Sequence, residues 1–133
     1  MWRKVLTLGL GLALSIVIPA ICCWSACSQS DIGGTWRFYA ASGDGYVYGS
    51  LQVQSNGVIV SGTAFKYSDG SSRTVQGGQL NLSSVCIVTG HIHLSGGITV
   101  NITHGALESD KRCFGAAWKD SIGSAGIATG MRK

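Results

Sequence analysis

The sequence predicts an all-β fold, an antiparallel up-and-down meander of about eight strands that closes into a small barrel. Apolar and polar residues alternate in short segments rich in Val, Ile, Thr and Tyr, which is typical of strands. Eighteen of the 20 glycines follow residue 27, several of them in short turns, and no 11-residue window there keeps a helical period. Eight sequential strands with adjacent ends can close and leave no free edge, although a two-sheet sandwich is the alternative.

The first two strands are predicted at Thr35–Ala41 and Tyr46–Gln54, with a glycine-containing turn between them. The second strand alternates cleanly, with Val47 and Leu51 on the face opposite the tyrosines. Asn56-Gly57 then predicts a type I′ hairpin turn. Pairing across that turn places Val53 opposite Val60 and Tyr48 opposite Phe65.

The other strands follow at similar spacing. Gly77-Gly78 interrupts the fourth strand and indicates a bulge or a sharp bend. A three-residue loop, Ser95-Gly96-Gly97, pairs Leu94 with Ile98 and brings two histidines together on the opposite face. The predicted segments are Arg73–Leu82, Val85–Leu94, Ile98–Thr103, Arg112–Lys119 and Ala125–Arg132.

The first residues have the form of a secretory signal. Arg3 and Lys4 precede an uncharged apolar core, Val5–Ile18, which ends at Pro19. This core is short for a membrane span, which needs about 20 apolar residues. Extending the run to Trp24 gives roughly that length, so an uncleaved anchor is the alternative.

The segment Ser25-Ala26-Cys27 resembles the bacterial lipobox, in which small residues precede a cysteine that is acylated and becomes the new N-terminus. Trp24 departs from the leucine usual in that motif. The resemblance implies a signal peptide over residues 1–26, lipidation of Cys27, a lipidated tether over residues 27–33 and a barrel domain over residues 34–133. It also implies a lipoprotein of the cell envelope that meets the membrane through its lipid, with Ser28 favouring the outer membrane.

Under this interpretation two cysteines of the exported domain remain available for a disulfide. Cys22 and Cys23 leave with the signal peptide, and Cys27 carries the lipid. Cys86 and Cys113 are therefore predicted to form a disulfide, with two buried free thiols as the alternative. Their strands lie two apart in a meander, roughly 9–10 Å, so the bridge requires the strand between them to end early.

Gly34-Thr35-Trp36 at the start of the first strand is similar to the Gly-x-Trp opening of lipocalins and avidin-like proteins. By the same resemblance, Arg132 on the last strand corresponds to the arginine that lipocalins place against that tryptophan. The resemblance implies a calycin-type barrel over residues 33–133.

Several aromatic residues are candidates to line an apolar ligand cavity, although such residues more often fill a core. An eight-stranded barrel is just wide enough for either arrangement. The candidates are Trp36, Phe38, Tyr46, Tyr48, Phe65 and Trp118.

No catalytic constellation can be assembled from the residues present. The aspartates sit in turns, and no serine lies in a Gly-x-Ser-x-Gly motif. His91 and His93 share a strand face, but no third ligand accompanies them, so we predict neither a metal site nor a cofactor. Without Arg3 and Lys4, the chain has eight Lys and Arg and six Asp and Glu. The resulting net charge near +2 is too weak to indicate either nucleic acid or an acidic membrane as a partner.

The sequence therefore predicts a non-enzymatic binding module for a small apolar ligand or an envelope partner. The alternative is an inhibitor or structural envelope protein that acts through its surface loops, without a ligand cavity. The state of the barrel interior separates the two: a cavity favours ligand binding, and a packed core favours surface action.

Overall fold

The computed structural model describes residues 26–133, so the predicted signal sequence up to residue 25 lies outside the described part. Eight antiparallel strands form a closed barrel in sequence order, which confirms the predicted meander and excludes the sandwich. A short 3-10 helix, Gln29–Ile32, precedes the barrel. The strands are β1 Gly34–Ser42, β2 Gly45–Val53, β3 Ala64–Tyr67, β4 Ser72–Leu82, β5 Ile87–Leu94, β6 Ile98–Leu107, β7 Cys113–Asp120 and β8 Ala125–Arg132.

Pairing of the first and last strands closes the barrel. The register runs from Trp36 opposite Arg132 to Ser42 opposite Gly126. Closure leaves no exposed sheet edge at this seam, and inward residues alternate with outward residues along each strand. Within residues 26–133, no helix is long and apolar enough to cross a bilayer.

The core is densest at the end of the barrel where the chain begins. Trp36 and Phe114 are fully buried there, with ring centroids 5.1 Å apart and edge-to-face geometry. The Trp36 indole donates a hydrogen bond of 2.8 Å to the Ile32 carbonyl, and the Arg132 guanidinium lies 4.8 Å from the Trp36 ring centroid. The contact between Arg132 and Trp36 is the one that the lipocalin resemblance implied.

Glycines let β4 and β5 bend. The register between the two strands shifts between Val75 and Gly77, so the bulge predicted at Gly77-Gly78 is confirmed. Gly77, Gly78 and Gly90 all have φ between 136° and 141°, a backbone conformation that side chains rarely adopt. Such bends allow long strands to curve around a small barrel.

The hairpin predicted at Asn56-Gly57 is wrong in type and register. Gly57 has a positive φ but Asn56 does not, so the turn is not type I′. Val53 pairs with Ile59 instead of Val60, and Tyr48 pairs with Lys66 instead of Phe65. The difference arises because the chain after the turn reaches across to β4, where the Ile59 N–H donates to the Gly78 carbonyl at 3.0 Å. The regular strand β3 consequently begins only at Ala64.

The three-residue loop between β5 and β6 is confirmed. Leu94 pairs with Ile98, and His91 and His93 pair with Asn101 and Thr99 on the outer face.

The predicted disulfide between Cys86 and Cys113 is wrong. Cys86 is bonded to Cys27 instead, with the two Cα atoms 5.2 Å apart, and Cys113 is a free thiol. The reason is the length of β6, which continues to Leu107 and pairs there with Phe114. It therefore separates the starts of β5 and β7, while the N-terminal segment brings Cys27 to the same end of the barrel.

Residues 27–33 are part of the closed end of the barrel rather than the predicted tether. Ile32 is fully buried, and the Cys27 N–H donates to the Ser84 carbonyl at 3.2 Å. The Gln29 side chain bridges the end of β4, donating to the Leu80 carbonyl and accepting from the Leu82 N–H. The Cys27 sulfur in this structure is occupied by the disulfide, and a sulfur bonded in this way cannot carry a thioether-linked lipid.

Candidate ligand cavity

The half of the barrel opposite the disulfide encloses a cavity of about 250 Å³. Its mouth is formed by four turns, those that join β1 to β2, β3 to β4, β5 to β6 and β7 to β8. Its walls are inward side chains of several strands, which are mostly apolar. They include Phe38, Phe65, Ile92, Leu94, Ile98, Val100, Ile102 and Trp118.

Stacked aromatic rings form the floor of the cavity. Phe38 and Phe65 have centroids 5.8 Å apart and nearly parallel planes, and Phe114 lies 5.7 Å from Phe38. Trp36 packs beneath Phe114, on the closed side. Aromatic packing of this kind fills one half of the barrel and leaves the other half open.

The predicted cavity residues occupy four different places. Phe38, Phe65 and Trp118 line the cavity, and Tyr46 lies at its mouth with 60% of its surface exposed. Trp36 belongs to the closed end instead, and Tyr48 points outward from the wall. Strand alternation put Tyr48 on the outer face, so its inclusion among the cavity residues conflicted with that pattern.

Sequence reasoning missed the aliphatic wall and the inward residues near the mouth. Ile92, Val100 and Ile102 alternate inward on β5 and β6, which was visible in their spacing. Their height in the barrel depends on the stagger between strands, and the sequence does not show that stagger. Arg73 and Tyr67 were missed because both lie next to turns.

Polar groups gather at the mouth. The Arg73 guanidinium donates to the Ser95 carbonyl at 3.0 Å and lies 6.0 Å from the Tyr67 ring centroid. Burial raises the pKa of the Tyr67 phenol, and the nearby Arg73 charge partly opposes that rise. The phenol therefore remains a neutral hydrogen-bonding group at physiological pH.

Two of the three mouth carboxylates are engaged in their own turns, and the third, Asp44, accepts from the Ser124 hydroxyl of the turn between β7 and β8. Asp69 accepts hydrogen bonds from the Ser71 hydroxyl and N–H, which lower the pKa of its carboxyl. Asp120 accepts from the N–H groups of Ile122 and Ser124. These bonds fix the turns that surround the opening.

Trp118 has a hydrogen-bonding group without a partner. Its indole nitrogen Nε1 is shielded from solvent and donates to no acceptor among residues 26–133. An unpaired buried donor costs about 1–3 kcal/mol. Trp118 lines the cavity, but this nitrogen exposes almost no surface to it.

Asp31 and Lys111 form an ion pair at the closed end, with 2.7 Å between Nζ and Oδ2. The hydrogen bond from Lys111, followed by that from the Ser28 N–H, holds the pKa of the Asp31 carboxyl below its usual value of 3.8. A depressed folded-state pKa contributes stability above about pH 3.8, and that contribution is lost as the pH falls through the folded value.

We expect Lys111→Met to raise the Asp31 pKa toward 3.8. Carboxyl chemical shifts followed by NMR between pH 2 and pH 6 would measure both forms. An unchanged Asp31 titration in Lys111→Met would show that the pair does not set this pKa.

His91 and His93 lie on the outer wall with ring centroids 4.8 Å apart. The His93 Nδ1 is 3.1 Å from the Thr99 hydroxyl oxygen. Residues 26–133 contain no group of three or more His, Cys, Asp or Glu side chains positioned for a metal ion. The absence of a metal function stays a prediction, which titration calorimetry with Zn²⁺ and Cu²⁺ would test.

Searches with protein-family models and with curated proteins find no match. Several solved structures that resemble the chain are designed barrels. A de novo designed fluorescence-activating β-barrel is 21% identical with a TM-score of 0.63, covering 76% of this chain and 93% of its own. The redesigned barrel mFAP1 bound to DFHBI is 18% identical with a TM-score of 0.64, covering 79% and 100%. EF1p2_mFAP2b bound to DFHBI is 17% identical with a TM-score of 0.66, covering 83% and 99%. At these identities the likeness shows the fold alone.

Proposed function

We propose that this protein is a non-enzymatic binding module that holds a small, largely apolar ligand inside the open half of its barrel. The observation that carries the proposal is the 250 Å³ cavity with aromatic and aliphatic walls and a polar mouth. Ligand sites are commonly concave and mostly apolar, with a few polar groups that orient the ligand. The alternative, an inhibitor or structural protein that acts through its surface loops, predicts a fully packed barrel interior. The cavity does not fit that expectation.

The size and chemistry of the cavity indicate a ligand of one or two rings. Its volume lies just below the range of about 300–1,000 Å³ typical of drug-sized ligands. Phe38, Phe65 and Trp118 offer flat surfaces for an aromatic body.

The designed relatives support this direction by analogy. Two of them are described as bound to DFHBI, and their fold is similar to that of this chain. Fold alone does not establish a ligand, so the proposal depends on the cavity residues of this chain. The contact between Trp36 and Arg132 also matches the lipocalin resemblance at the closed end.

Fluorescence titration with one- and two-ring aromatic fluorophores, including DFHBI, tests the proposal. We expect saturable binding by at least one member of the set. Val100→Trp should weaken ligand binding at least tenfold. Val100 is an inward residue of the cavity wall, so the larger ring would fill the space that the ligand occupies. Each tenfold loss corresponds to about 1.4 kcal/mol.

Asn101→Trp is the matched control, since it adds the same ring to the next residue on the outer face of β6. It should leave binding unchanged. Circular dichroism and thermal melts establish that both variants fold, and Ala40→Leu, also in the cavity wall, gives a second blocking variant. Absence of binding throughout the set, or equal loss in Asn101→Trp, would contradict the cavity as the site.

We further propose that the protein works in the cell envelope after export. The signal-like segment before residue 27 and the disulfide support this, because structural disulfides persist in oxidising compartments. Lipidation of Cys27 and the Cys27–Cys86 disulfide exclude one another on the same molecule. Peptide mapping of the exported protein distinguishes a Cys27 peptide linked to Cys86 from one that carries a diacylglyceryl group.

A further inference from the structure

The outer wall at the closing seam carries a continuous face of exposed side chains. The registers of β8, β1 and β2 align them in three rows across the strands. We call this set the seam face. Its rows are Ile127, Ala41 and Tyr46; then Thr129, Tyr39 and Tyr48; then Met131, Arg37 and Ser50.

The seam face is strongly apolar for an exposed surface. Its three tyrosines, Ile127 and Met131 each expose between 40% and 72% of their surface. The rings of Tyr39 and Tyr48 stack with centroids 6.4 Å apart. Contiguous exposed patches of this kind mark interaction surfaces, whereas single exposed apolar residues need no explanation.

The small net charge of the chain does not indicate a membrane, but the charged side chains in and beside the seam face are positive. Arg37 belongs to the seam face, and Lys66 extends its middle row onto β3 next to Tyr48. The six Asp and Glu side chains lie outside the three rows, in the turns, in the N-terminal segment or at the end of β7, and Asp44 adjoins the row of Ala41 and Tyr46. The six are Asp31, Asp44, Asp69, Glu108, Asp110 and Asp120.

A shallow groove lies beside the stacked tyrosines. Strands β2 and β3 pair over only three positions, Val47–Gly49 with Phe65–Tyr67, so the wall opens beyond them. The groove, of about 310 Å³, is lined in part by Arg37, Tyr39, Tyr48 and Lys66. It therefore combines a guanidinium, an ammonium and two phenol rings, a combination suited to a phosphate group attached to an apolar body.

We propose that the seam face docks on an anionic lipid membrane. Tyrosines favour the headgroup level of a bilayer, where the ring is apolar and the hydroxyl stays hydrated. Arg37 and Lys66 would meet lipid phosphates, and the absence of carboxylates on the face removes repulsion. This contact needs no lipid on Cys27, and Tyr46 is the one seam-face residue that also lies at the mouth of the cavity.

A second copy of the chain fits this face less well. In a two-fold contact the same patch meets itself. Arg37 and Lys66 of both copies would then be brought together without a carboxylate between them, which costs energy by like-charge repulsion. An anionic surface has the complementary charge.

Vesicle co-sedimentation of the exported protein, with its N-terminus mapped, tests the proposal. We expect binding to vesicles of phosphatidylcholine with 30% phosphatidylglycerol, and much weaker binding to phosphatidylcholine alone. Each cation near an anionic surface contributes about fivefold to partitioning, so Arg37→Gln with Lys66→Gln should lower it roughly 25-fold. Tyr39→Ser with Tyr48→Ser should lower it as well.

Matched controls exist on other parts of the barrel. His91→Ser with His93→Ser removes another pair of neighbouring rings from the outer wall, and Arg112→Gln with Lys133→Gln removes two exposed cations from the closed end. Both control proteins should bind as the unaltered protein does. Equal binding to the two vesicle types, equal binding by the seam variants, or concentration-dependent dimerisation that needs Tyr39 and Tyr48 would overturn the proposal.

Discussion

Cys86→Ser should lower the free energy of unfolding by about 4 kcal/mol. The disulfide joins residues 59 apart, and in the loop-entropy model a crosslink of that span restricts the unfolded chain by about this amount. A loss of this size is a large fraction of the roughly 5–15 kcal/mol typical of a domain. Urea denaturation followed by tryptophan fluorescence, under oxidising conditions, would measure it.

Cys113→Ser provides the matched control, because Cys113 is a free and only partly buried thiol at the same end of the barrel. Its effect should stay within about 1 kcal/mol. Reduction with dithiothreitol should destabilise the unaltered protein and Cys113→Ser equally, and should leave Cys86→Ser unchanged. A larger loss in Cys113→Ser than in Cys86→Ser would contradict the pairing.

Loss of the disulfide should also loosen the N-terminal segment. Cys27, Gln29 and Ile32 hold this segment across the closed end, where the Trp36 indole donates to the Ile32 carbonyl. We therefore expect the amide protons of residues 28–33 to exchange faster in Cys86→Ser than in the unaltered protein. The same exchange in Cys113→Ser should remain slow.

The strand order and the closed barrel were predictable because the alternation and the turns are local signals. Most of the connections are short turns, several of them with glycine, and they favour pairing of each strand with the next, so that β1 meets β8. The hairpin at Ser95-Gly96-Gly97 had the correct register because only a three-residue loop kept Leu94 and Ile98 on one face.

The disulfide and the Asn56-Gly57 hairpin could not be predicted because both depend on distant contacts. Ile59 binds β4 rather than continuing the hairpin, and no local pattern indicates that choice. The residues in front of Cys27 indicated a lipid-attachment site. Its disulfide partner, Cys86, lies 59 residues further along, in the turn before β5. The cavity was predictable only in part. Alternation shows which residues point into the barrel, but the stagger of the strands decides which of them line the cavity and which pack in the closed end.

Gly90→Ala and Gly78→Ala should each destabilise the barrel by about 3 kcal/mol or more. A Cβ at Gly90 would lie 2.0 Å from the Gln79 carbonyl oxygen, and one at Gly78 would lie 2.2 Å from the His91 carbonyl oxygen. Both obstacles are backbone atoms of the paired strand, so a side-chain movement cannot relieve them. The positive φ at each position adds about 1–3 kcal/mol of strain.

Gly115→Ala is the control for these two substitutions. Gly115 also lies within a strand, but its φ is not positive and a Cβ there would meet nothing within 4 Å. Alanine should therefore be neutral or stabilising by up to about 1 kcal/mol, since it restricts the unfolded chain. Thermal and urea unfolding of the three variants would measure the difference. If Gly90→Ala were as stable as Gly115→Ala, β4 and β5 could not approach as closely as the structure shows, and the bend that shapes this side of the barrel would lie elsewhere.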